Sequence, residues 1–277
     1  MAKIESVIGR YIYVPYQGEE YRVYYEEAGK GIPLVCLHTA GTDGREWRHQ
    51  LNDAEIQKRF RVIAFDMPRH GKSIPPRNWW KEEYKLTSKF YSEFTVAFCK
   101  ALELEQPVVM GSSMGGNICL HLALNHSNYM RALIAVEACD YSPGWWLDWL
   151  HHPHIHGGEA SATAVYGLMA PQSPLEYRQE TWWYYAQGGP GVFKGDLYFY
   201  SIDHDFRQLC AKLDGKVPIY FMTGVYDFAC TPEMTRQTAE KVKGSECIIM
   251  EGIGHFPMSE NPEIYKKYLM PVLDKIK

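Results

Sequence analysis

No stretch of this sequence stays apolar for the roughly 20 residues that a membrane helix needs; runs such as Ala132–Val136 are short. Basic charge is not in excess either. Lysine plus arginine is 29 and aspartate plus glutamate is 33, a net charge of −4, which leaves no electrostatic footprint for nucleic acid or an anionic membrane. The seven cysteines are odd in number, far apart and without a C-x-x-C pair. Most sit in apolar stretches, where buried free thiols are common, so a reduced, cytoplasmic setting is expected. The opening residues, MAKIESVIGRYIYV, lack the charged-then-apolar pattern and small-residue cleavage site of a secretion signal. Internal repeats and low-complexity segments are also missing. Hydrophobic residues make up 46% and charged residues 22%, ordinary values that exclude a disordered chain, a coiled coil and a collagen-like polymer. A chain of 277 residues fits one core domain with room for an insertion.

What is plentiful is aromatic side chains, and they are unevenly spread. Residues 139–205 hold five of the eight tryptophans and 14 aromatics in 67 positions, about 21% against 14% for the chain. That stretch has Gly and Pro punctuation and no clear strand. Loops beyond 12–15 residues without structure of their own are uncommon, so it reads as a helical cap inserted in the core. Around it the pattern is regular. Tyr11–Pro15 and Tyr21–Glu26 flank Gln17-Gly18 and predict a hairpin. Short, branched apolar runs at Pro33–Leu37, Arg61–Phe65, Pro107–Met110, Ala132–Val136, Val217–Met222 and Glu246–Met250 predict buried parallel strands. Helical stretches at Ser88–Leu104, Gly115–Asn125 and Pro262–Ile276 lie between and after them. Strands alternating with helices imply an α/β fold: a mostly parallel central sheet with helices on both faces. The core would take residues 1–138 and 206–277, and the cap residues 139–205.

The chemistry points to Ser113. The run Pro107–Met110 leads into Gly111-Ser-Ser113-Met-Gly115, the G-x-S-x-G pattern, and a helix follows. At that sharp turn small neighbours relieve crowding around a strained serine. The Met114 N–H would then face an oxyanion beside Ser113, helped by the positive end of the helix. A phosphate-binding turn would need a P-loop lysine or G-x-G-x-x-G, and neither is present. A serine hydroxyl needs a base. His255, in Gly252-Ile-Gly254-His255-Phe-Pro, follows the last strand and so lies at the same sheet edge. Asp227, just past Val217–Met222, is the carboxylate to orient it; Glu137 and Asp140, after the fourth run, are the rival orienters. A second oxyanion donor belongs to the loop His38-Thr39-Ala40-Gly41-Thr42, with the Ala40 N–H the first choice and Thr39 the fallback. His38 and His70 read as loop supports. His151, His152, His154 and His156 surround Pro153 with no Cys or carboxylate at ligand spacing, so no metal site is expected.

With these residues in place the sequence resembles the α/β-hydrolase superfamily, whose chain order is Ser, Asp, His. Phe65-Asp-Met-Pro68-Arg69-His70-Gly71-Lys-Ser73 is similar to the family's D-x-P-G-H-G-x-S loop. The segment Gly254–Glu263 is similar to its histidine loop, and Met114-Gly115-Gly116 to esterases and meta-cleavage-product hydrolases of the fold. Two positions depart from the pattern: the loop reads His38-Thr39 where His-Gly is usual, and Arg69 stands where Gly is usual. The resemblance implies acyl transfer to water through Ser113, Asp227 and His255 with no metal or organic cofactor. A serine nucleophile argues against the haloalkane dehalogenases and epoxide hydrolases of the fold, which use a carboxylate. The expected substrate is a small to medium apolar or aromatic ester, lactone or thioester. Thr39, Trp145, Trp146, Tyr166 and Trp182 are the expected substrate contacts. A carbon–carbon bond hydrolase and a non-catalytic ligand receptor on the same scaffold are the alternatives. The partner expected is a small molecule rather than nucleic acid or membrane, and a homodimer stays open.

Overall fold

A computed structural model describes residues 2–152 and 154–277; Met1 and Pro153, both named above, lie outside the described residues. Eight strands form one sheet: β1 (Ile8–Tyr16), β2 (Glu19–Gly29), β3 (Ile32–Leu37), β4 (Phe60–Phe65), β5 (Val108–Ser112), β6 (Ala132–Val136), β7 (Ile219–Gly224) and β8 (Glu246–Met250). Their spatial order is β1-β2-β4-β3-β5-β6-β7-β8. β1 and β2 pair antiparallel through Tyr16↔Glu19. Between them Gln17 and Gly18 both take positive φ, 49° and 81°, the two-residue turn that matches strand twist. β2 also runs antiparallel to β4, and the remaining pairings are parallel.

The central strands are buried on both faces, and their side chains alternate between two cores. Val35, Leu37, Val109, Leu133 and Ala135 face one side, while Leu34, Cys36, Val108, Met110 and Ile134 face the other. That period of two is the geometry of a pleated strand. The helices are α1 (Arg48–Leu51), α2 (Ser88–Ala101), α3 (Met114–His126), α4 (Gly157–Tyr166), α5 (Leu175–Ala186), α6 (Val192–Tyr198), α7 (Pro232–Lys241), α8 (Pro257–Glu260) and α9 (Pro262–Lys275). α2 and α3 cover the first face with Phe94, Phe98, Ile118 and Leu122. α1 and α9 cover the second with Leu51, Tyr265 and Leu269. Each such side chain contributes about 1.5–3 kcal/mol of burial.

The aromatic stretch 139–205 is helical, built from α4, α5, α6 and a π-helical turn at Phe199–Asp203. Its two ends meet. Tyr141 bridges Asp205, and the Phe206 N–H donates to the Asp140 carbonyl at 2.8 Å. The chain therefore leaves and re-enters the core at one place, above the carboxyl ends of β6 and β7. Among the described residues no helix is long and apolar enough to cross a membrane. Six of the seven thiols are buried, and all are free.

Candidate active site

The sheet reverses its order of filling between β3 and β5, and crevices for ligands form at the carboxyl ends of strands at such a switch point. Ser113 sits there, between the last residue of β5 and the first of α3. Its φ of 56° and ψ of −115° lie in a region disfavoured for any residue with a Cβ. The Ser113 N–H holds that turn by donating to the Val136 carbonyl at 2.9 Å. The crossing of strand and helix leaves no room at Gly111, where an added Cβ would meet the Gly115 carbonyl oxygen at 2.1 Å. The spacing G-x-S-x-G is thus a packing requirement of this turn. Ser112 is fully buried, its hydroxyl without a partner among the described residues, and it does not reach the cavity that Ser113 lines.

The loop after β3 is held from every side. The Thr39 N–H donates to Glu46 Oε2 at 2.9 Å, and the Thr39 hydroxyl to Glu46 Oε1 at 2.8 Å. The same hydroxyl meets the Tyr185 hydroxyl of α5 at 2.5 Å. The Gly41 N–H donates to Asp196 Oδ2 of α6 at 2.7 Å. Among the described residues the amides of Ala40 and Met114 find no acceptor, so these two N–H groups remain free to donate. His38 Nδ1 faces the Thr39 carbonyl at 2.8 Å, while its Nε2 accepts the Met67 N–H at 3.1 Å. One nitrogen must donate and the other accept, so the ring is neutral. Burial and the neighbouring His70 push its pKa down to about 4. His70 is the opposite case: Nδ1 faces the Pro68 carbonyl at 3.1 Å and Nε2 the Asp196 carboxylate at 2.7 Å. Burial works against a charge on that ring, but Asp196 outweighs it and the pKa is raised. Glu46, also buried, has its pKa pushed up to about 7 by burial.

At the far edge His255 Nδ1 lies 2.7 Å from Asp227 Oδ2. Asp227 Oδ1 accepts the N–H groups of Ala229 and Cys230 at 2.8 and 3.1 Å. Burial opposes charge on Asp227, yet His255 and these donors hold its pKa below the usual carboxylate range. The Nδ1–Oδ2 separation is that of a hydrogen bond; two ligands of one tetrahedral zinc would stand about 3.3 Å apart. Glu137 is beside this pair, fully buried at φ 48°, and accepts the Gly224 N–H at 2.9 Å. Asp140, the other rival orienter, pairs instead with Lys241 Nζ at 2.7 Å. The histidine loop is tied to the insertion: the His255 N–H donates to the Leu168 carbonyl at 3.0 Å. Glu260 accepts N–H groups from both Gly254 and Ala170. Burial raises its pKa to about 8.

Ser113 and His255 line one cavity of about 60 Å³ together with Ala40 and Tyr185. Trp145, Leu197 and Tyr200 form much of the remaining wall, and no lysine, arginine, aspartate or glutamate is among its lining residues. Of the expected contacts, Trp145 lines this cavity and four others do not. Thr39 is turned inward to Glu46. Trp146 packs edge-on against Tyr198 with ring centroids 5.6 Å apart. The Tyr166 ring lies under the Arg178 guanidinium at 5.7 Å. Trp182 is half-buried against the apolar cluster below α5. Tyr185, Leu197 and Tyr200 take the places expected of them; nothing in the helical pattern marks which face of α5 or α6 turns inward. In the histidine-rich stretch the Glu159 N–H donates to His156 Nδ1, so that ring caps α4. Arg69 has φ 83°, a left-handed conformation that explains why glycine is usual there. Its guanidinium stacks over Tyr84 at 4.6 Å.

A family model described as the alpha/beta hydrolase fold matches residues 32–262. The chain belongs to the α/β-hydrolase family. Among curated proteins, this α/β-hydrolase is 31% identical over 122 residues to the 2-hydroxymuconate semialdehyde hydrolase of Pseudomonas sp. (strain CF600), covering 44% of this chain and 41% of that one. It is 23% identical over a 290-residue alignment to bifunctional epoxide hydrolase 2 of Rattus norvegicus, covering 87% of this chain and 51% of the relative. The chain thus spans about half or less of the length of these two relatives. Among solved structures it superposes on a thermophilic esterase from Thermogutta terrifontis with a TM-score of 0.78 at 19% identity, covering 97% of this chain and 99% of that one. The enol-lactonase of Burkholderia xenovorans LB400 gives 0.78 at 21% identity, covering 95% and 99%. At such identities these structures speak for the fold.

Proposed function

We propose that this α/β-hydrolase cleaves a small to medium, uncharged carboxylic ester, lactone or thioester through a covalent acyl-enzyme on Ser113. The observation that carries the reading is the convergence of Ser113, His255 and Ala40 on one apolar cavity, with the amides of Ala40, in the loop after β3, and Met114, in the turn at Ser113, unpaired among the described residues. Asp227 fixes the Nδ1–H tautomer of His255, so Nε2 is the nitrogen left to accept the Ser113 proton. As Ser113 Oγ attacks the carbonyl, the N–H groups of Met114 and Ala40 hold the oxyanion; one such donor is worth about 3–4 kcal/mol of barrier. Protonated His255 then gives its proton to the leaving oxygen or sulfur. Water, activated by His255, releases the acid and restores Ser113. No step calls for a metal or organic cofactor.

The absence of a charged side chain from the cavity wall supports an uncharged substrate. A carboxylate there would lose its hydration with no cation to pair with. A carbon–carbon bond hydrolase is the second reading, favoured by the identity to a hydrolase whose named substrate is a muconate derivative. Such a substrate carries a carboxylate, which the cavity does not accommodate. The test uses p-nitrophenyl acetate, butyrate and octanoate with the parent protein and Ser113→Ala. Release that Ser113→Ala abolishes supports the reading. A folded parent that releases nothing sinks it; decay of a coloured meta-cleavage product would then favour carbon–carbon cleavage, and tight ligand binding without turnover a receptor.

A further inference from the structure

Two carboxyl groups stand beside His255 where one suffices. Glu137, Asp227 and His255 each bring an atom into a cluster whose members lie within 4.8 Å of one another, and all three side chains are buried. Glu137 closes β6 and Asp227 follows β7, so neighbouring parallel strands deliver both to the same point. Asp227 already has its donors: two backbone amides on Oδ1 and His255 on Oδ2. Glu137 has one, the Gly224 N–H, shared between its two oxygens at 2.9 and 3.1 Å, and among the described residues no donor stands between the two acids. The other ionisable groups facing the pair are Glu260, Cys230, Tyr200 and Tyr265. His255 is the single base in this set. Two carboxylates this close and this dry cannot both ionise.

We propose that Glu137 is a neutral carboxylic acid that donates a hydrogen bond to Asp227 and so tempers how strongly Asp227 stabilises a protonated His255. Glu137 is then a positioning residue: it reaches the chemistry through Asp227 and touches no substrate. The inference rests on the proposed roles of Asp227 and His255. Burial and the adjacent Asp227 raise the pKa of Glu137 well above the usual range while that of Asp227 is lowered, which puts the shared proton on Glu137. The strained φ of Glu137 fits a side chain held where its geometry is needed.

The test is the pH profile of kcat/KM for p-nitrophenyl butyrate. Glutamine at 137 is neutral at every pH and keeps both a donor for Asp227 and an acceptor for Gly224, so Glu137→Gln holds the acid limb where the parent has it. Glu137→Leu removes the donor, leaves Asp227 more basic and moves the acid limb upward by about one pH unit. A limb that stays in place in a folded Glu137→Leu would reduce Glu137 to a structural cap on Gly224 and overturn the proposal. If Glu137→Leu does not fold, Glu137→Gln decides alone: a downward shift of the limb would mean that an anion had been removed, and would overturn it equally. Asp227→Asn separates the two levels of argument. Loss of about 10⁴ in kcat keeps Asp227 as the orienter, whereas full activity in Asp227→Asn with loss in Glu137→Gln would hand that role to Glu137 and sink both readings.

Discussion

Asp196 offers the sharpest test of how α6 acts on the loop after β3, the oxyanion loop of the proposed mechanism. It is fully buried on α6 and accepts three hydrogen bonds: the Gly41 N–H at 2.7 Å, His70 Nε2 at 2.7 Å and the Tyr84 hydroxyl at 2.8 Å. In Asp196→Ala the buried Gly41 donor and the half-buried Tyr84 hydroxyl lose their acceptor, and His70 loses the charge that holds its second proton. An unsatisfied buried donor costs about 1–3 kcal/mol, which applies to Gly41 in full and to half-buried Tyr84 only in part, so the two neutral groups cost about 1–4 kcal/mol. That is a large share of a typical folding free energy of about 5–15 kcal/mol. Asp196→Asn is milder: its carbonyl oxygen still faces Gly41 and His70, its amide can donate to the Tyr84 oxygen, and only the charge is lost, about 1–3 kcal/mol. The kinetic effect follows from the neighbour. Ala40 precedes Gly41, so freeing Gly41 displaces the Ala40 N–H, and kcat should fall by about 10–100-fold within the limit set by one oxyanion donor. KM should change little, because that donor acts mainly in the transition state. Urea unfolding followed by tryptophan fluorescence, paired with p-nitrophenyl butyrate kinetics on the folded fraction, measures both. A folded Asp196→Ala protein that is destabilised yet keeps the parent kcat would refute the link between α6 and the oxyanion loop.

Three further outcomes can be checked together. With a cavity of about 60 Å³, kcat/KM should fall from p-nitrophenyl acetate or butyrate to octanoate; a rise with chain length would show that the cavity wall does not bound the acyl group. Gly111→Ala should fail to give folded, active protein, because its Cβ would sit 2.1 Å from the Gly115 carbonyl oxygen; soluble expression and far-UV circular dichroism decide it. Stability should fall as pH rises from 6.5 to 8.5. Glu46, with a folded pKa of about 7, and Glu260, with one of about 8, retain protons that the unfolded chain has already released, at up to about 1.4 kcal/mol per pH unit for each proton. The buried histidines His38, His121 and His204, with pKa values pushed down to about 4, 3 and 4, act in the opposite sense up to about pH 7, so they offset part of the fall at the low end and the decline is clearest above about pH 7. Urea midpoints at pH 6.5 and 8.5 test this, and Glu260→Gln should flatten the slope; a rising midpoint would contradict the sign.

Much of the frame was legible because local and global preferences agree in it. Ala132–Val136 and Glu246–Met250 are strands with the expected bounds. Where the bounds move, a local cause is visible. The β5 and β7 strands begin after Pro107 and Pro218, residues that have no N–H for a ladder. The helix expected to reach Leu104 stops at Ala101, ahead of Glu103 at φ 55°. The positions of Ser113, Asp227 and His255 were readable from turn chemistry beside strands. What was hidden is what depends on docking. Tyr185 and Trp182 lie three residues apart on one helix and both pack on the same apolar cluster, and only the seating of α5 on the core makes Tyr185, not Trp182, part of the cavity wall. Asp196 meets Gly41 across 155 positions of sequence. Glu46 looks like a surface acid in the sequence and Glu137 only like a rival to Asp227, because nothing in a single chain of letters marks a carboxyl for burial.

The two side chains that α5 and α6 send down to the loop after β3 make the insertion a poor candidate for exchange. Its removal would take away the Thr39 contact of Tyr185 and the Gly41 acceptor on Asp196 together with much of the cavity wall. A chimera carrying a different segment here would therefore change the cavity wall and lose the contacts that hold the loop after β3 at once; on the proposed reading, range and rate are coupled. The accessible route to a different substrate runs through single wall positions such as Leu197 or Trp145, which alter the cavity and leave Asp196 and Tyr185 in place.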